Sequence, residues 1–255
     1  MKTRLDKLLA ERGLAASRER AQAMVIAGRV LVNEQRIDKP GTSVEDDAVL
    51  RLLGEEMRYV SRGGLKLEHA LKHWKISVEG EQCMDIGAST GGFTDCMLQG
   101  GAAHVLAIDT GYGQIAQKLR SDARVTLRER TNARLLAPGD AEKSLPAGIE
   151  FFAMDVSFIS ATLVLPPVLA CLNVVGLNQK WTGEAVILIK PQFEAGREHV
   201  GKGGIVRDPA AWQLAVDRVT SCVRELGGAD VEVIDSPIQG MEGNHEFLLH
   251  ARWNG

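Results

Sequence analysis

From residue 83 onward, short apolar runs alternate with stretches suited to helices. The runs are Cys83–Ile86, His104–Ile108, Arg124–Leu127, Ile149–Met154, Ala185–Ile189 and Val231–Ile234. Strands recurring with helix-length spacers build an α/β fold, a mostly parallel sheet with helices on both faces. The end of the chain breaks this rhythm. Val231–Ile234 and Phe247–Ala251 are joined by residues 237–244, with no room for a crossover helix. Parallel neighbours need a dozen or more connecting residues, so this last pair is predicted to be antiparallel. A length of 255 residues, 45% of them hydrophobic, is enough to bury a substantial core.

The first residues read differently. Leu5, Leu8 and Leu9 have helical spacing, with Gly13 as a stop. Ser17 suits the N-cap of a second helix that carries Ala21, Met24 and Val25 and ends at Gly28. Strand-like runs follow at Val30–Val32 and Val49–Leu52, with a polar turn at Asn33–Gln35. A small α+β domain over 1–58 ahead of a large one over 59–255 is the expected organisation. Residues 1–44 carry a balance of +4, whereas the whole chain carries −3, so the remainder holds −7. A second basic stretch runs from Arg58 to Lys75. A basic head on an acidic body suggests a polyanionic partner. The N-terminus has no apolar signal segment, and no two of the four cysteines lie within three residues of each other. Buried thiols in a cytoplasmic protein are expected, without close-spaced zinc ligands.

Two segments invite misreading. The 24 residues from Val156 to Gln179 carry no charge, long enough to span a bilayer. Pro166-Pro167 and scattered Ser, Thr and Asn residues favour a helix buried against the sheet. Residues Gly196 to Lys202 fit G-x-x-x-x-G-K, but Gly203 stands where a nucleotide-binding loop needs a Ser or Thr. A basic, flexible loop over a substrate is the better reading.

The strongest local signal is Asp85-Ile86-Gly87-Ala88-Ser89-Thr90-Gly91-Gly92-Phe93-Thr94, directly after the first strand of the body. Glycines at a strand-to-helix turn let a ligand approach the backbone and the helix N-terminal amides. The dinucleotide fingerprint would need Gly at position 89. Asp109 ends the next strand, 22 residues after Gly87, where an acid can hold ribose hydroxyls. The plain alternative is a glycine-rich turn with a capping acid. A parallel sheet closed by an antiparallel hairpin is more typical of S-adenosylmethionine-dependent methyltransferases than of nicotinamide dehydrogenases. Asp155 and Lys190 close two further strands, Glu246 opens the last, and Lys66 lies just before the body begins. Ligands of open α/β sheets bind outside the carboxyl ends of the strands. Any one of these four fits a surface or capping role as well as catalysis, but together they read as a site.

These residues make the sequence recognisable. It resembles the TlyA family, also called haemolysin A, of ribosomal-RNA 2′-O-methyltransferases. The resemblance covers essentially the whole chain. It is carried by Arg4-Leu5-Asp6, Ser17–Ala21, Val60–Leu67, Asp85–Thr94, Asp155–Ser160, Lys190–Glu194 and Gly201–Gly204. It implies a Rossmann-like methyltransferase domain of the FtsJ type, preceded by an RNA-binding domain of the kind named after a small-subunit ribosomal protein. It implies S-adenosylmethionine as cofactor, held by Asp85, Gly87, Ala88, Ser89, Thr90, Gly91, Gly92, Asp109 and Asp155. It also implies a Lys-Asp-Lys-Glu tetrad, matched by Lys66, Asp155, Lys190 and Glu246. Cytidine in ribosomal RNA or its subunits is the implied target. Candidate RNA contacts are Arg4, Arg18, Arg20, Arg62 and Lys202.

The implied chemistry suits the tetrad. A ribose hydroxyl must lose its proton as it attacks a sulfonium methyl in line, and a lysine can accept that proton. Lys190 is the candidate base, and Lys66 helps orient the hydroxyl. Asp155, near the sulfonium, orients Lys190, and Glu246 positions Lys66. No metal is expected. Three alternatives remain open on the sequence: a pore-forming haemolysin, an RNA-binding module with an inactive enzyme fold, and a small-molecule methyltransferase. The last leaves the basic head unexplained.

Overall fold

The computed structural model describes residues 2–53, 58–140, 148–172, 180–240 and 242–255. The chain divides into two compact units, Met1–Met57 and Arg58–Gly255.

The first unit holds β1 (Lys2–Arg4), α1 (Leu5–Glu11), α2 (Arg18–Ile26), β2 (Val30–Val32), β3 (Gln35–Arg36), β4 (Ser43–Glu45) and β5 (Leu50–Leu52). Leu5, Leu9, Ala21 and Val25 interlock the two helices over Val30. Ser17 caps α2 by accepting from the Arg20 backbone N–H. Asn33 and Glu34, both at positive φ, turn β2 back into β3. The pairing of β1 with β4 was not legible in the sequence, because three-residue strands show no period. Asp6 is fully buried beneath this layer. It accepts from Arg4, Arg18 and Gln22. The Arg4 guanidinium above all holds its carboxyl well below the usual range.

The second unit opens with α3 (Gly63–Trp74) and alternates β6 (Gln82–Ile86), α4 (Gly92–Gln99), β7 (His104–Ile108), α5 (Gln117–Arg120) and β8 (Val125–Arg128). Then come β9 (Phe151–Met154), α6 (Ala161–Leu172), β10 (Thr182–Ile189), α7 (Pro191–Glu194), α8 (Pro209–Glu225), β11 (Ala229–Asp235) and β12 (Phe247–Asn254). The sheet order is β11-β12-β10-β9-β6-β7-β8. The five strands from β10 to β8 are mutually parallel. The last hairpin is antiparallel, as its short connection requires. β12 is also slotted between β11 and β10, which adjacency in sequence does not reveal. Side chains alternate along each strand into two cores. Ile86, Met154 and Ile187 face one, and Val105, Phe151 and Val186 the other.

Within the uncharged stretch, Val156–Ser160 is a loop and Ala161–Leu172 forms α6. Val164, Leu165 and Val168 of this helix enter the core. Residues 173–179 lie outside the described residues. Among the described residues no helix is long and apolar enough to cross a membrane.

Asp85 is fully buried at the end of β6. Its Oδ2 accepts from the Thr94 backbone N–H at 2.9 Å and from Thr94 Oγ1 at 2.6 Å. This fastens the first turn of α4 to the strand. Burial raises its carboxyl from 3.8 to about 7, despite the Thr94 bonds. A raised carboxyl pKa means that the folded state holds the proton more tightly than the unfolded chain does. The contribution therefore favours folding at low pH and is lost as pH rises through that window. Asp85→Asn keeps an acceptor for Thr94 and cannot titrate. Relative to this variant, the wild type should lose about 1.4 kcal/mol per pH unit across the window. Urea unfolding at pH 5 and pH 7 checks this; a difference that does not change with pH would rule it out.

Candidate active site

Strand register brings the chemistry to one rim. Ile86 pairs with Ile108 and with Met154, Met154 with Ile187, and Ile189 with Phe247. The residues just beyond these positions, Gly87, Asp109, Asp155, Lys190 and Glu246, therefore fall at the same end of the sheet. A cavity of about 370 Å3 opens there, lined by Gly87, Ser89, Asp109, Gly111, Asn132 and Asp155 among others.

The glycine-rich turn works largely by close packing within the chain. Gly87 has φ +86°, and a Cβ on it would lie 2.3 Å from the Asp155 carbonyl oxygen. A Cβ on Gly92 would lie 2.4 Å from Ser61 Oγ and 2.9 Å from the Gly64 nitrogen. That approach seats α3, with Lys66, on the start of α4. Gly91 has φ +94° and caps α4 in the left-handed conformation. The predicted cofactor contacts thus divide. Gly87, Ser89, Asp109 and Asp155 line the cavity, whereas Asp85, Ala88, Thr90, Gly91 and Gly92 do not. Asp85 is turned to Thr94, and the remaining four shape the turn that presents Gly87 and Ser89. Asp109 accepts from the Ser89 N–H at 2.8 Å and from the Gly111 N–H at 2.6 Å. A carboxylate has about four lone-pair sites, so Asp109 keeps capacity for ligand hydroxyls.

The four tetrad residues form two ion pairs. Lys190 Nζ lies 2.5 Å from Asp155 Oδ1 and donates to Ser157 Oγ at 2.8 Å. Lys66 Nζ lies 2.5 Å from Glu246 Oε2. Lys66, Lys190 and Glu246 are buried. Lys66 reaches the rim because Asp95 of α4 accepts from the Val60 N–H at 2.8 Å, fixing the approach to α3. Glu246 is crowded by its own loop, since a Cβ on Gly240 would lie 2.6 Å from Glu246 Oε1. Desolvation offsets much of the attraction within a buried ion pair, so such pairs are weak evidence for stability. Two of them on one rim beside a cavity favour a working site.

Several residues escaped the sequence reading. Ser157 is the second acceptor for Lys190. Phe158 is 92% exposed at φ +64°, with its ring centre 5.5 Å from that of Phe193. Glu194 is buried, and burial raises its carboxyl pKa. Only local motif context hinted at them, because exposure and backbone strain leave no spacing pattern. The predicted RNA contacts also divide. Arg4 and Arg18 are committed to Asp6. Arg62 and Lys202 are exposed and Arg20 is half-buried, and none of the three makes an ion pair among the described residues. The G-x-x-x-x-G-K look-alike is a loop with a 3-10 turn at Arg197–His199. Buried Asn244 ties that loop down, accepting from the Val206 N–H and donating to the Gly204 carbonyl.

Comparison with known proteins agrees with this geometry. The family described as FtsJ-like methyltransferase matches residues 59–253, and the S4 domain matches residues 3–50. The chain is 51% identical over 254 residues to "Putative rRNA methyltransferase YqxC" of Bacillus subtilis (strain 168), covering 100% of this chain and 87% of that one. It is 42% identical over 252 residues to "16S/23S rRNA (cytidine-2'-O)-methyltransferase TlyA" of Mycobacterium tuberculosis (strain ATCC 25618 / H37Rv), covering 98% and 90%. The solved "Putative hemolysin from Streptococcus thermophilus" superposes with a TM-score of 0.73 at 45% identity, covering 99% of this chain and 89% of that one. The chain belongs to the FtsJ-like methyltransferases, in the TlyA (hemolysin A) group that carries an S4 domain ahead of the catalytic fold.

Proposed function

We propose that the protein transfers a methyl group from S-adenosylmethionine to a ribose 2′-hydroxyl of ribosomal RNA, with cytidine as the target. The observation that carries this is the pair of lysine–carboxylate contacts beside the cavity of a methyltransferase fold. S-adenosylmethionine suits the residues present. Asp109 offers acceptor capacity for ribose hydroxyls, and Gly87 leaves the wall free of a side chain. Bound there, the cofactor supplies an electrophilic methyl.

The chain's own residues do the rest. In its neutral form, Lys190 Nζ accepts the proton of the attacking hydroxyl. Asp155 and Ser157 hold that nitrogen in place. Lys66, fixed by Glu246, holds the ribose oxygen and stabilises the negative charge that develops on it. Holding the two reactants in line supplies much of the acceleration. An RNA ribose reaches so buried a nitrogen only if its nucleotide leaves the surrounding stack. Exposed Phe158 at the mouth offers a face for the displaced base, and such stacking is worth about 1–3 kcal/mol. The first unit supplies RNA affinity through Arg20 and its neighbours, with Arg62 and Lys202 contributing from the second. A ribosomal substrate implies a cytoplasmic protein.

Lys190→Arg keeps the positive charge but cannot accept a proton. Single-turnover methylation should fall by at least about 100-fold, with cofactor affinity close to wild type. Lys66→Arg should be milder. An active Lys190→Arg enzyme would remove Lys190 as the base.

Asp109→Ala removes a charged acceptor from the cavity. It should weaken S-adenosylmethionine binding by about 1.5–3 kcal/mol without unfolding the chain. Calorimetry reads this directly, and an unchanged Kd would take Asp109 out of the site.

Residues 58–255 alone should bind S-adenosylmethionine like the full chain but methylate ribosomal RNA poorly. The full chain's RNA affinity should drop steeply with salt, as phosphate contacts require. Full activity of the shortened chain on intact subunits would contradict this division of labour.

A further inference from the structure

Two rim segments, residues 155–161 after β9 and residues 190–194 after β10, are joined along their whole length. Lys190 meets Asp155 and Ser157 at one end. The rings of Phe193 and Phe158 meet in the middle. Glu194 closes the far end. Its Oε2 accepts from Ser160 Oγ at 2.5 Å, and its Oε1 accepts from the Ala161 backbone N–H at 2.7 Å. Glu194 is 2% exposed, and Arg218 of α8 donates to its carbonyl at 2.5 Å.

Ala161 is the first residue of α6, so its N–H has no partner within the helix. Glu194 supplies that partner from another segment. A buried carboxylate is costly unless it is hydrogen-bonded, and here both oxygens are. Between the two anchors Phe158 sits at φ +64°, which a bulky residue adopts only under constraint. A loop strained at its centre keeps its shape only if both ends are held. Lys190 holds one end and Glu194 the other.

We infer that Glu194 is a positioning residue for methyl transfer. By pinning Ser160 and Ala161 it holds the 155–160 loop against Lys190. Asp155 and Ser157 then fix the Lys190 nitrogen, and Phe158 stays at the mouth. This rests on the reading of Lys190 as proton acceptor. Glu194 lines neither the cavity nor the lysine pairs, so its effect passes through the loop.

The test uses the full chain with Glu194→Ala, Glu194→Gln and Ser160→Ala. Glutamine can still accept from the Ala161 N–H and can donate to Ser160 Oγ, so the pin survives. Glu194→Ala should lower kcat by about 10–100-fold, the scale of an ångström misplacement, with KM for S-adenosylmethionine unchanged. Glu194→Gln should stay close to wild type, and Ser160→Ala should fall between. A second readout needs no activity: competitive acetylation of lysines, followed by mass spectrometry. Lys190 should label faster in Glu194→Ala, Lys66 should not, and glutamine should restore protection. Wild-type kcat and wild-type Lys190 labelling in Glu194→Ala would overturn the inference. So would a joint loss of cofactor binding and of protection at both lysines, which marks general loosening. Should Glu194→Ala fail to fold, Ser160→Ala carries the same comparison. A wild-type chain that methylates no ribose would defeat the functional reading, while the labelling still decides whether Glu194 sets Lys190.

Discussion

At Gly87 the backbone passes so close to the Asp155 carbonyl that no side chain fits between them. The rim depends on that approach. It lets the Asp155 N–H reach the Ile86 carbonyl at 2.9 Å and the Gly87 N–H reach the Ile108 carbonyl at 2.9 Å. Three strands thereby end level, and the groups that follow them face one cavity. β10 and β12 continue the same alignment through their pairing at Ile189 and Phe247. The site is therefore a consequence of register. A slip of one residue on any of these strands would turn its terminal acid or lysine to the wrong face of the sheet.

The second requirement is to hold two ammonium groups in a partly dry site. Each lysine has its own carboxylate, and each pair joins elements remote in sequence: Lys66 of α3 with Glu246 before β12, Lys190 after β10 with Asp155 after β9. Net stability gained from such pairs is small, but each places a positive charge beside a fixed carboxylate. The supporting contacts follow the same logic. Asp95 holds the Val60 amide and so the entry to α3, and Gly92 admits the Ser61–Gly64 segment. Glu194 secures the loop that carries Asp155. Charges at the rim are thus set by carboxylate–backbone bonds and close backbone packing behind them.

The legible part of this protein was the part written in periods and short spacings. Apolar runs with helix-length gaps announced the parallel sheet, and the eight-residue link 237–244 announced the antiparallel end. The insertion of β12 between β11 and β10 was not visible, because strand order is a property of tertiary packing. Asp155, Lys190 and Glu246 drew attention by their place at strand ends; in the structure Lys190 meets Asp155, and Glu246 meets Lys66. The glycine loop also has structural work that its spacing does not show. Gly91 and Gly92 serve left-handed geometry and helix packing, and Asp85 serves Thr94. Arg4 and Arg18 looked like free positive charge because a buried acid at position 6 leaves no trace in a charge count. Nothing in the spacing singled out Phe158, which the fold leaves 92% exposed.

The identity of the accepting atom decides whether this protein is a ribose methyltransferase. Ribosomal RNA from cells with and without the protein, digested to nucleosides and mapped by mass spectrometry, shows where the methyl group goes. A 2′-O-methylated cytidine should be present only with the active protein and be lost with Lys190→Arg. Methyl found on a base nitrogen or carbon, or no difference between the two RNA samples, would contradict it.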